Sequence, residues 1–301
     1  MDKEVDKTMM RLAVIGKPID HSLSPIIHNE FALQTGVDIS YRAFEVDPKD
    51  FRKTVASMFN DRRGGYYGLN VTLPLKQLAF KYCVTSSEEC LLTESANTLT
   101  AYDEGGGCSG EFIADTTDGK GFVEDIRQKS LQFEGLSLEE DIVIIGAGGS
   151  AMSIISSILA DYPKSLTVVN RSIERAKKIK EKFSSKLHQE INILGPQDPL
   201  PLGLRPGFVI NCSSAGTLNQ PIILPNNLFI ANPWVYDLAY SKEITPFNKI
   251  AKDAGVEVCF DGLGMLVNQA AESFYIWTGK RPSTQGVLDF LDIEWDFENI
   301  F

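Results

Sequence analysis

Residues that bind metals or form disulfides are scarce in this chain of 301 residues. It has three histidines and five cysteines, and the cysteines are odd in number with no C-x-x-C spacing. The histidines, His21, His28 and His188, lack the spacing of a metal-ligand set. We therefore expect no metal site, and we interpret the cysteines as reduced thiols of a cytoplasmic protein.

Long apolar runs and an excess of basic charge are absent as well. No run of about 18 apolar residues occurs, so the sequence predicts no membrane-spanning helix. Residues 1–8 are charged and lack the apolar core of a secretory signal. Lys and Arg number 29 against 40 Asp and Glu, a formal net charge of −11. This balance argues against a nucleic-acid partner, which needs a basic surface, but not against a small anionic ligand.

The chain does contain the signature of a dinucleotide-binding unit. An apolar run at 142–145 ends in the glycine turn G-A-G-G-S-A at 146–151, and a helix-compatible run follows. This is the strand, tight turn and helix start whose backbone N–H groups receive a pyrophosphate. The next predicted strand ends at Asn170 and Arg171 rather than at a carboxylate, and a guanidinium suits a 2′-phosphate. The pattern predicts NADP(H) rather than NAD(H) as the cofactor.

The position of this turn, near the middle of the chain, predicts two domains. Helix and strand patterns alternate on both sides of it, which is typical of an α/β fold with largely parallel sheets. We predict a substrate-binding domain of residues 1–116 plus 263–301 and a Rossmann-like NADP-binding domain of residues 117–262. The helix predicted at 265–277 would cross back onto the first domain, and one more helix would follow from residue 282.

Two serines precede the first predicted helix. Ser24 followed by Pro25 places a hydroxyl at the N-cap and proline at the first helical position, and Ser22 adds a second hydroxyl. Short hydroxyl donors at a helix N-terminus suit a carboxylate or a phosphate. A plain N-cap with an additional loop serine remains the alternative.

Lys76 and Asp115 form the candidate catalytic pair. Lys76 is predicted in the first turn of a helix at 74–83, off its apolar face, where the helix dipole disfavours a cation. Asp115 lies at the end of a predicted strand near the domain junction, where open α/β proteins bind ligands, and could be its carboxylate partner. A solvated lysine is the alternative for Lys76, and capping of the following helix is a sufficient structural role for Thr117 or Asp118.

Two further segments indicate cofactor contacts. Arg171 and Arg175 stand four residues apart after the second strand of the nucleotide unit, and either they contact a 2′-phosphate or they belong to a solvated basic helix. In the segment 261–269, Gly262 and Gly264 allow backbone to approach a flat ring closely. Gln269 would present its amide from the first turns of the following helix, and a solvated glutamine on a polar helix face is the alternative.

Together these segments resemble the shikimate dehydrogenase family. The shared motifs occur in the family's order: G-x-P-x-x-H-S-x-S-P at 16–25, N-V-T-x-P-x-K at 70–76, A-N-T at 96–98, D-x-T-D-G at 115–119, G-A-G-G at 146–149, N-R-S at 170–172, Y-D-x-x-Y at 236–240 and D-G-x-G-M-L-x-x-Q at 261–269. They span about residues 11 to 290. The glycine turn alone is a weak signal, whereas its combination with N-V-T-x-P-x-K and D-G-x-G-M-L is specific.

The resemblance implies NADPH-dependent reduction of 3-dehydroshikimate to shikimate. It assigns Lys76 and Asp115 to catalysis. For the substrate it implies Ser22 and Ser24 at the carboxylate, Asn70, Thr72, Asn97, Asp115 and Gln269 at the ring hydroxyls, and Tyr240 nearby. For the cofactor it implies Gly146, Ala147, Gly148, Gly149, Ser150, Asn170, Arg171, Ser172, Arg175, Gly262 and Met265.

The chain departs from the family pattern at a few positions. Thr116 replaces the usual Asn of D-N-T-D-G, residues 94–95 are Glu-Ser rather than Gly-Ala, and residues 212–213 are Cys-Ser rather than Ala-Thr. Two other functions stay open: a quinate/shikimate dehydrogenase relative that accepts NAD, and a non-catalytic NADP(H)-sensing module. We expect a monomer or homodimer in the cytoplasm with a small-molecule substrate.

Overall fold

The protein is described here by a computed structural model that covers residues 9–60, 65–102, 110–183, 191–213, 215 and 220–297. The chain divides into two compact units. Unit 1 comprises Met1–Thr117 and Gln269–Phe301, and unit 2 comprises Asp118–Asn268. The domain boundaries given above, after residue 116 and at residue 263, remain a prediction.

Unit 1 is built on a six-stranded sheet. Its elements are β1 (Met10–Gly16), α1 (Ser24–Thr35), β2 (Ile39–Glu45), α2 (Phe51–Phe59), β3 (Gly68–Val71), α3 (Lys76–Tyr82), β4 (Thr85–Ser86), α4 (Glu88–Thr93), β5 (Thr98–Ala101) and β6 (Phe112–Asp115). The strand order is β2-β1-β3-β5-β6-β4, in which β5 runs antiparallel to both of its neighbours and the other pairs are parallel.

The reversed direction of β5 decides which residues meet at one edge of this sheet. The start of β5 lies at the edge where β1, β3 and β6 end, because an antiparallel strand begins where its neighbours finish. The register pairs Asn70 of β3 with Thr98 of β5, and Thr98 in turn with Asp115 of β6. The candidate residues of the first domain therefore follow or precede strands at a single edge.

Unit 2 is a parallel sheet with the order of a dinucleotide-binding fold. Its elements are α5 (Asp118–Ser130), β7 (Asp141–Ile145), α6 (Gly149–Ile158), β8 (Ser165–Val169), α7 (Ile173–Phe183), β9 (Ile191–Leu194), β10 (Phe208–Asn211), β11 (Trp234–Asp237), α8 (Pro246–Asp253) and β12 (Cys259–Phe260). The strand order is β12-β11-β10-β7-β8-β9. The order reverses between β7 and β10, and ligands of such sheets bind outside the carboxyl ends of the strands at that point.

Two helices complete the described chain, α9 (Leu263–Thr278) and α10 (Thr284–Phe297). The boundary between the units falls within α9. In unit 1, the indole of Trp277 lies where Gly68 has no side chain: a Cβ at Gly68 would stand 2.3 Å from its Nε1. The same nitrogen donates to the carbonyl of Leu99 at 3.1 Å. Gly68 is thus required so that α9 can pack on β3 and β5.

The α/β class and the mostly parallel sheets are confirmed, whereas some local predictions are wrong or incomplete. Helix α1 begins at Ser24 itself with Leu23 as its N-cap, and no side chain of the described residues caps it. The expected Ser24 cap is absent because the N–H of Ile27 donates to the carbonyl of Leu23 at 3.0 Å, and separately Ser22 Oγ accepts from Ser24 N at 3.3 Å. β4 and α4 were not predicted. The glycine-rich segment 103–110, for which the sequence predicts a hairpin-type loop, lies outside the described residues except for Gly110.

None of the described helices has both the length and the apolar character needed to cross a bilayer.

Candidate active site

The end of β1 leads into a buried hydroxyl at the start of α1. Ser24 is 6% exposed, and its hydroxyl interacts with the phenol of Tyr41 on β2. Burial raises the pKa of Tyr41 well above its usual range, and the contact with Ser24 opposes that rise. Ser22 is half-buried and, as described above, bonds to the backbone of Ser24. The two serines therefore lie next to each other, and Ser24 also contacts Tyr41.

A network of buried amides and hydroxyls lies beside these serines in unit 1. Tyr41 donates to Asn70 Oδ1 at 2.7 Å, and Asn70 Nδ2 donates to Ser273 Oγ at 2.9 Å and to the carbonyl of Asn97 at 3.1 Å. Asn97 Nδ2 donates to Gln269 Oε1 at 2.9 Å. Three predicted substrate residues, Asn70, Asn97 and Gln269, are therefore linked in one hydrogen-bonded system.

Two threonines fix the orientation of the Asn97 amide. Asn97 Oδ1 accepts from the backbone N–H of Thr117 at 2.9 Å and from the hydroxyl of Thr98 at 3.0 Å. Because a backbone N–H can only donate, the oxygen end of the amide must face Thr117, which leaves the NH₂ end for Gln269. This network includes the A-N-T motif and the Thr117 of D-x-T-D-G.

Lys76 and Asp115 are both attached to the residues that precede β5. The carbonyl of Lys76 accepts from Ala96 N at 3.0 Å, and the carbonyl of Asp115 accepts from Asn97 N at 3.1 Å. Both side chains are half-buried. The Asp115 carboxylate accepts at Oδ1 from the hydroxyl of Ser87 at 2.8 Å and from Thr116 N at 2.7 Å.

Thr72 lies at the same edge, directly after β3. Its N–H donates to the carbonyl of Ile15 at 2.9 Å, and its methyl group fills the space beside Gly16. A Cβ at Gly16 would stand 2.3 Å from that methyl carbon. Glycine at the end of β1 therefore permits Thr72 to approach the segment that leads to Ser22 and Ser24.

In unit 2, the glycine turn lies at the point where the strand order reverses. Gly146 has φ of +109°, and a Cβ there would stand 3.1 Å from backbone atoms of Cys212 and Ser213, which follow β10. Gly148 is the N-cap of α6, and the space where its Cβ would lie is open. No side chain of the described residues caps α6. Backbone N–H groups at the start of α6, including those of Gly149 and Ser150, are thus suited to an anion.

The segment after β8 carries the two arginines. Both Arg171 and Arg175 are exposed, and Arg171 Nη2 donates to Gln220 Oε1 at 3.2 Å. Asn170 Nδ2 donates to the carbonyl of Ser172 at 2.8 Å, and Ser172 Oγ accepts from Arg175 N at 3.4 Å. These bonds fix the turn that presents both guanidinium groups at the end of β8.

The remaining predicted residues of unit 2 follow β11 and β12. Gly262 packs against the backbone of Leu238, since a Cβ there would stand 2.1 Å from the Leu238 carbonyl oxygen. Gly264 packs against Asp125, which is 1% exposed and accepts from Lys129 at 2.7 Å and from Tyr236 at 2.7 Å. Close packing on both sides determines the path of 261–265, and Met265 is 7% exposed.

Tyr240 lies three residues beyond β11 and is half-buried. The structure places it in unit 2, whereas the other predicted substrate residues belong to unit 1.

Several polar residues of this site were not found by sequence reasoning: Tyr41, Ser87, Thr98, Thr117 (considered only as a helix cap) and Ser273. Most of them are buried. Thr98 and Thr117 lie within the A-N-T and D-x-T-D-G motifs but were assigned no substrate contact, whereas Tyr41, Ser87 and Ser273 lie outside all the motifs. Ser87 had a usable signal, because serine followed by Glu88 and Glu89 is typical of a helix start. No group of three or more His, Cys, Asp or Glu side chains suited to a metal ion occurs in the described part of the chain.

Comparison with known families gives three matches along the chain. The substrate-binding domain of shikimate dehydrogenase matches residues 14–99, shikimate / quinate 5-dehydrogenase matches residues 128–195, and the C-terminal domain of shikimate 5′-dehydrogenase matches residues 262–289. The shikimate dehydrogenase (NADP(+)) of Vibrio atlanticus (strain LGP32) is 37% identical over 290 residues, which cover 96% of this chain and 97% of that protein. That of Legionella pneumophila (strain Corby) is 38% identical over 94% of this chain and 98% of that protein.

Solved structures share the fold. An Ael1 enzyme from Pseudomonas putida is 33% identical with a TM-score of 0.80, and the match covers 94% of this chain and 98% of that one. Shikimate 5-dehydrogenase from Thermus thermophilus, solved in complex with NADP(H) and shikimate, is 27% identical with a TM-score of 0.76. That match covers 92% of this chain and 97% of the other.

Proposed function

This chain belongs to the shikimate dehydrogenase family, and we propose that it catalyses the reversible, NADPH-dependent reduction of 3-dehydroshikimate to shikimate. The proposal extends to this chain the activity named for relatives that match almost its full length. The observation that carries the assignment of residues is the convergence of Lys76, Asp115 and the Asn97 network at one edge of the unit 1 sheet.

The residues of unit 2 fit the cofactor. The positive φ of Gly146, the open space at Gly148 and the uncapped start of α6, as far as the described residues go, suit a pyrophosphate. Arg171 and Arg175 would bind the 2′-phosphate, and Asn170 and Ser172 would fix the turn that carries them. When bound, NADPH supplies a hydride to the ring ketone carbon, and NADP⁺ accepts it in the reverse direction.

In unit 1, Ser22 and Ser24 would bind the substrate carboxylate. Asn70, Thr72, Asn97 and Gln269 would orient the ring through its hydroxyls, and Tyr240 of unit 2 would contribute as well. Asn97 and Gln269 are held by each other and by Thr117, so their amides need little reorganisation when a ligand binds. A site that hydrogen-bonds several hydroxyls rejects rings that lack them, because its buried polar groups would then be left without partners.

Lys76 would act as the general acid in the reduction. Negative charge develops on the ketone oxygen as its carbon is reduced, and the Lys76 ammonium would stabilise that charge and then transfer a proton to the oxygen. In the oxidation of shikimate the same amine would accept the hydroxyl proton. Asp115 would orient the ammonium and bind a neighbouring ring hydroxyl.

The direct test is spectrophotometric formation of NADPH from shikimate and NADP⁺ by the purified chain. Turnover with this pair supports the proposal, and quinate and NAD⁺ in matched reactions test the quinate- and NAD-using alternative. Tight NADP(H) binding without turnover of either substrate would favour a sensing module. We also propose a cytoplasmic enzyme that is a monomer or homodimer without a nucleic-acid partner, which size-exclusion chromatography with light scattering can test for oligomeric state.

A further inference from the structure

The hydroxyl of Ser87 lies directly beside the carboxylate proposed to act in catalysis. Ser87 Oγ is 2.8 Å from Asp115 Oδ1, and both residues are half-buried in unit 1. Ser87 belongs to none of the family motifs at 70–76, 96–98 or 115–119. Its distance in sequence from Asp115 means that only the fold brings the two side chains together.

A short strand pairing places Ser87 at this position. β4 runs parallel to β6, with Thr85 opposite Ile113 and Ser86 opposite Ala114. The N–H of Ser87 then donates to the carbonyl of Ala114 at 3.1 Å. β4 and β6 run in the same direction. The next pair along them therefore places Ser87, the residue after β4, beside Asp115, the last residue of β6.

Two of the hydrogen bonds of the Ser87 hydroxyl have a determined direction. Ser87 is the N-cap of α4, where Oγ accepts from Cys90 N at 3.3 Å. A backbone N–H can only donate and a carboxylate can only accept, so the single hydroxyl proton must point at Asp115. Capping therefore fixes the rotation of the hydroxyl that would otherwise be free to turn away.

The same carboxylate oxygen also accepts from the backbone N–H of Thr116 at 2.7 Å. Two donors occupy the two lone pairs of Oδ1. The backbone N–H of Thr116 and the hydroxyl of Ser87 thereby fix the orientation of the Asp115 carboxylate. Of its two oxygens, Oδ2 remains the one with acceptor capacity for an ammonium or a substrate hydroxyl.

We propose that Ser87 is a positioning residue that holds Asp115 in its reactive orientation, and that the N-cap bond of α4 fixes the Ser87 hydroxyl for this purpose. The inference rests on the proposed function, in which Asp115 orients Lys76 and the substrate. It extends that function to a residue outside the motifs and predicts that turnover depends on the hydroxyl rather than on helix capping.

The test separates the two bonds of Ser87 by substitution. Ser87→Ala removes both the cap and the donor, whereas Ser87→Gly removes the donor and leaves most of the cap stability, since glycine is tolerated at the N-cap. Ser87→Thr retains both. Because Asp115 without this bond would be free to leave its reactive orientation, we expect kcat for shikimate to fall roughly 10- to 100-fold in both the alanine and the glycine variants. KM should change by less than about threefold, and Ser87→Thr should restore kcat.

Thr245 offers a matched control in unit 2. It is the N-cap of α8 and accepts from Asn248 N at 3.3 Å, and its hydroxyl also bonds to the carboxylate of Asp237. We expect Thr245→Ala to lower the melting temperature about as much as Ser87→Ala, because both lose a helix cap. It should leave kcat within about twofold of the wild type, since neither Thr245 nor Asp237 belongs to the proposed site.

Three outcomes would overturn the inference. Wild-type kcat in Ser87→Ala or Ser87→Gly would show that the hydroxyl is dispensable, and a loss that follows the melting temperature across the Ser87 and Thr245 variants would show a role in stability alone. Failure of Ser87→Thr to restore kcat would also contradict it. Absence of turnover in the wild-type chain is a different result, because it would overturn the proposed function together with everything that rests on it.

Discussion

Lys76 and Asp115 are held by two consecutive residues of the chain. Ala96 donates its N–H to the carbonyl of Lys76, and Asn97 donates to the carbonyl of Asp115. The backbone positions of an amine and a carboxylate that lie far apart in sequence are thus tied to the start of β5. Any shift of the start of that strand would therefore move both groups.

Replacing Lys76 should slow the reaction without preventing substrate binding. We expect Lys76→Ala to lower kcat by roughly 10²- to 10⁴-fold, the usual contribution of general acid–base catalysis, with a modest change in KM. Initial rates of NADPH formation measure both parameters. Lys81→Ala, an exposed position in the last turn of α3, serves as the control and should keep wild-type kinetics. An unchanged kcat in Lys76→Ala would remove this residue from the mechanism.

The two arginines after β8 should discriminate between the cofactors. Neutral replacements of Arg171 and Arg175 remove charge-assisted hydrogen bonds to a 2′-phosphate, each worth about 1.5–3 kcal/mol. We expect KM for NADPH to rise by at least about tenfold in the double variant, while KM for NADH stays nearly the same. Lys177→Gln is the control, because the exposed ammonium of Lys177 pairs with Glu174 at 3.5 Å. Equal effects on the two cofactors would contradict the assignment.

Gly146 and Gly148 should respond differently to alanine. At Gly146 a side chain is disfavoured by the positive φ and by backbone atoms 3.1 Å away, so we expect a loss of about 1–3 kcal/mol in the free energy of unfolding. At Gly148 the space is open, so stability should change by less than about 1 kcal/mol while KM for NADPH rises. Urea unfolding and cofactor titration separate the two effects. Similar stability losses at both positions would refute this account of the turn.

His28 should make the protein less stable in acid. Its ring is fully buried and stacks on Tyr41 at 4.1 Å, and burial lowers the pKa of His28 from 6.5 to about 3. Between these two values the unfolded chain binds a proton that the folded protein does not. The free energy of unfolding should therefore fall as the pH decreases through this window, by up to about 1.4 kcal/mol per pH unit.

Urea unfolding of His28→Phe at about pH 7.5 and about pH 5 tests this linkage. Phenylalanine retains an aromatic ring against Tyr41, so the variant should lose less stability on acidification than the wild type does. His21→Gln changes an exposed histidine and is expected to behave like the wild type. If wild type and His28→Phe lose the same amount, burial of His28 does not contribute to acid sensitivity.

Much of the fold and the cofactor site could be predicted because their signals are local. The glycine turn, the strand before it and the helix after it are contiguous, and each residue type follows from the conformation needed at its own position. The apolar run at 142–145 lies within strand β7 for the same reason. The predicted cap at Ser24 was wrong because the helix starts one residue earlier: the N–H of Ile27 donates to the carbonyl of Leu23, and the Ser24 hydroxyl interacts with Tyr41.

The sequence by itself determined the α/β class, the family, the choice of cofactor and the identity of the motif residues, since these depend on residue types at fixed short spacings. Only the tertiary structure decided that β5 runs antiparallel, that Tyr41 and Ser273 complete the Asn70 network, and that Ser87 contacts Asp115. These relationships join side chains that are distant in sequence. They depend on strand register and on which hydroxyl lies within hydrogen-bond distance of a buried acceptor. Neither of these produces a periodic pattern in the sequence.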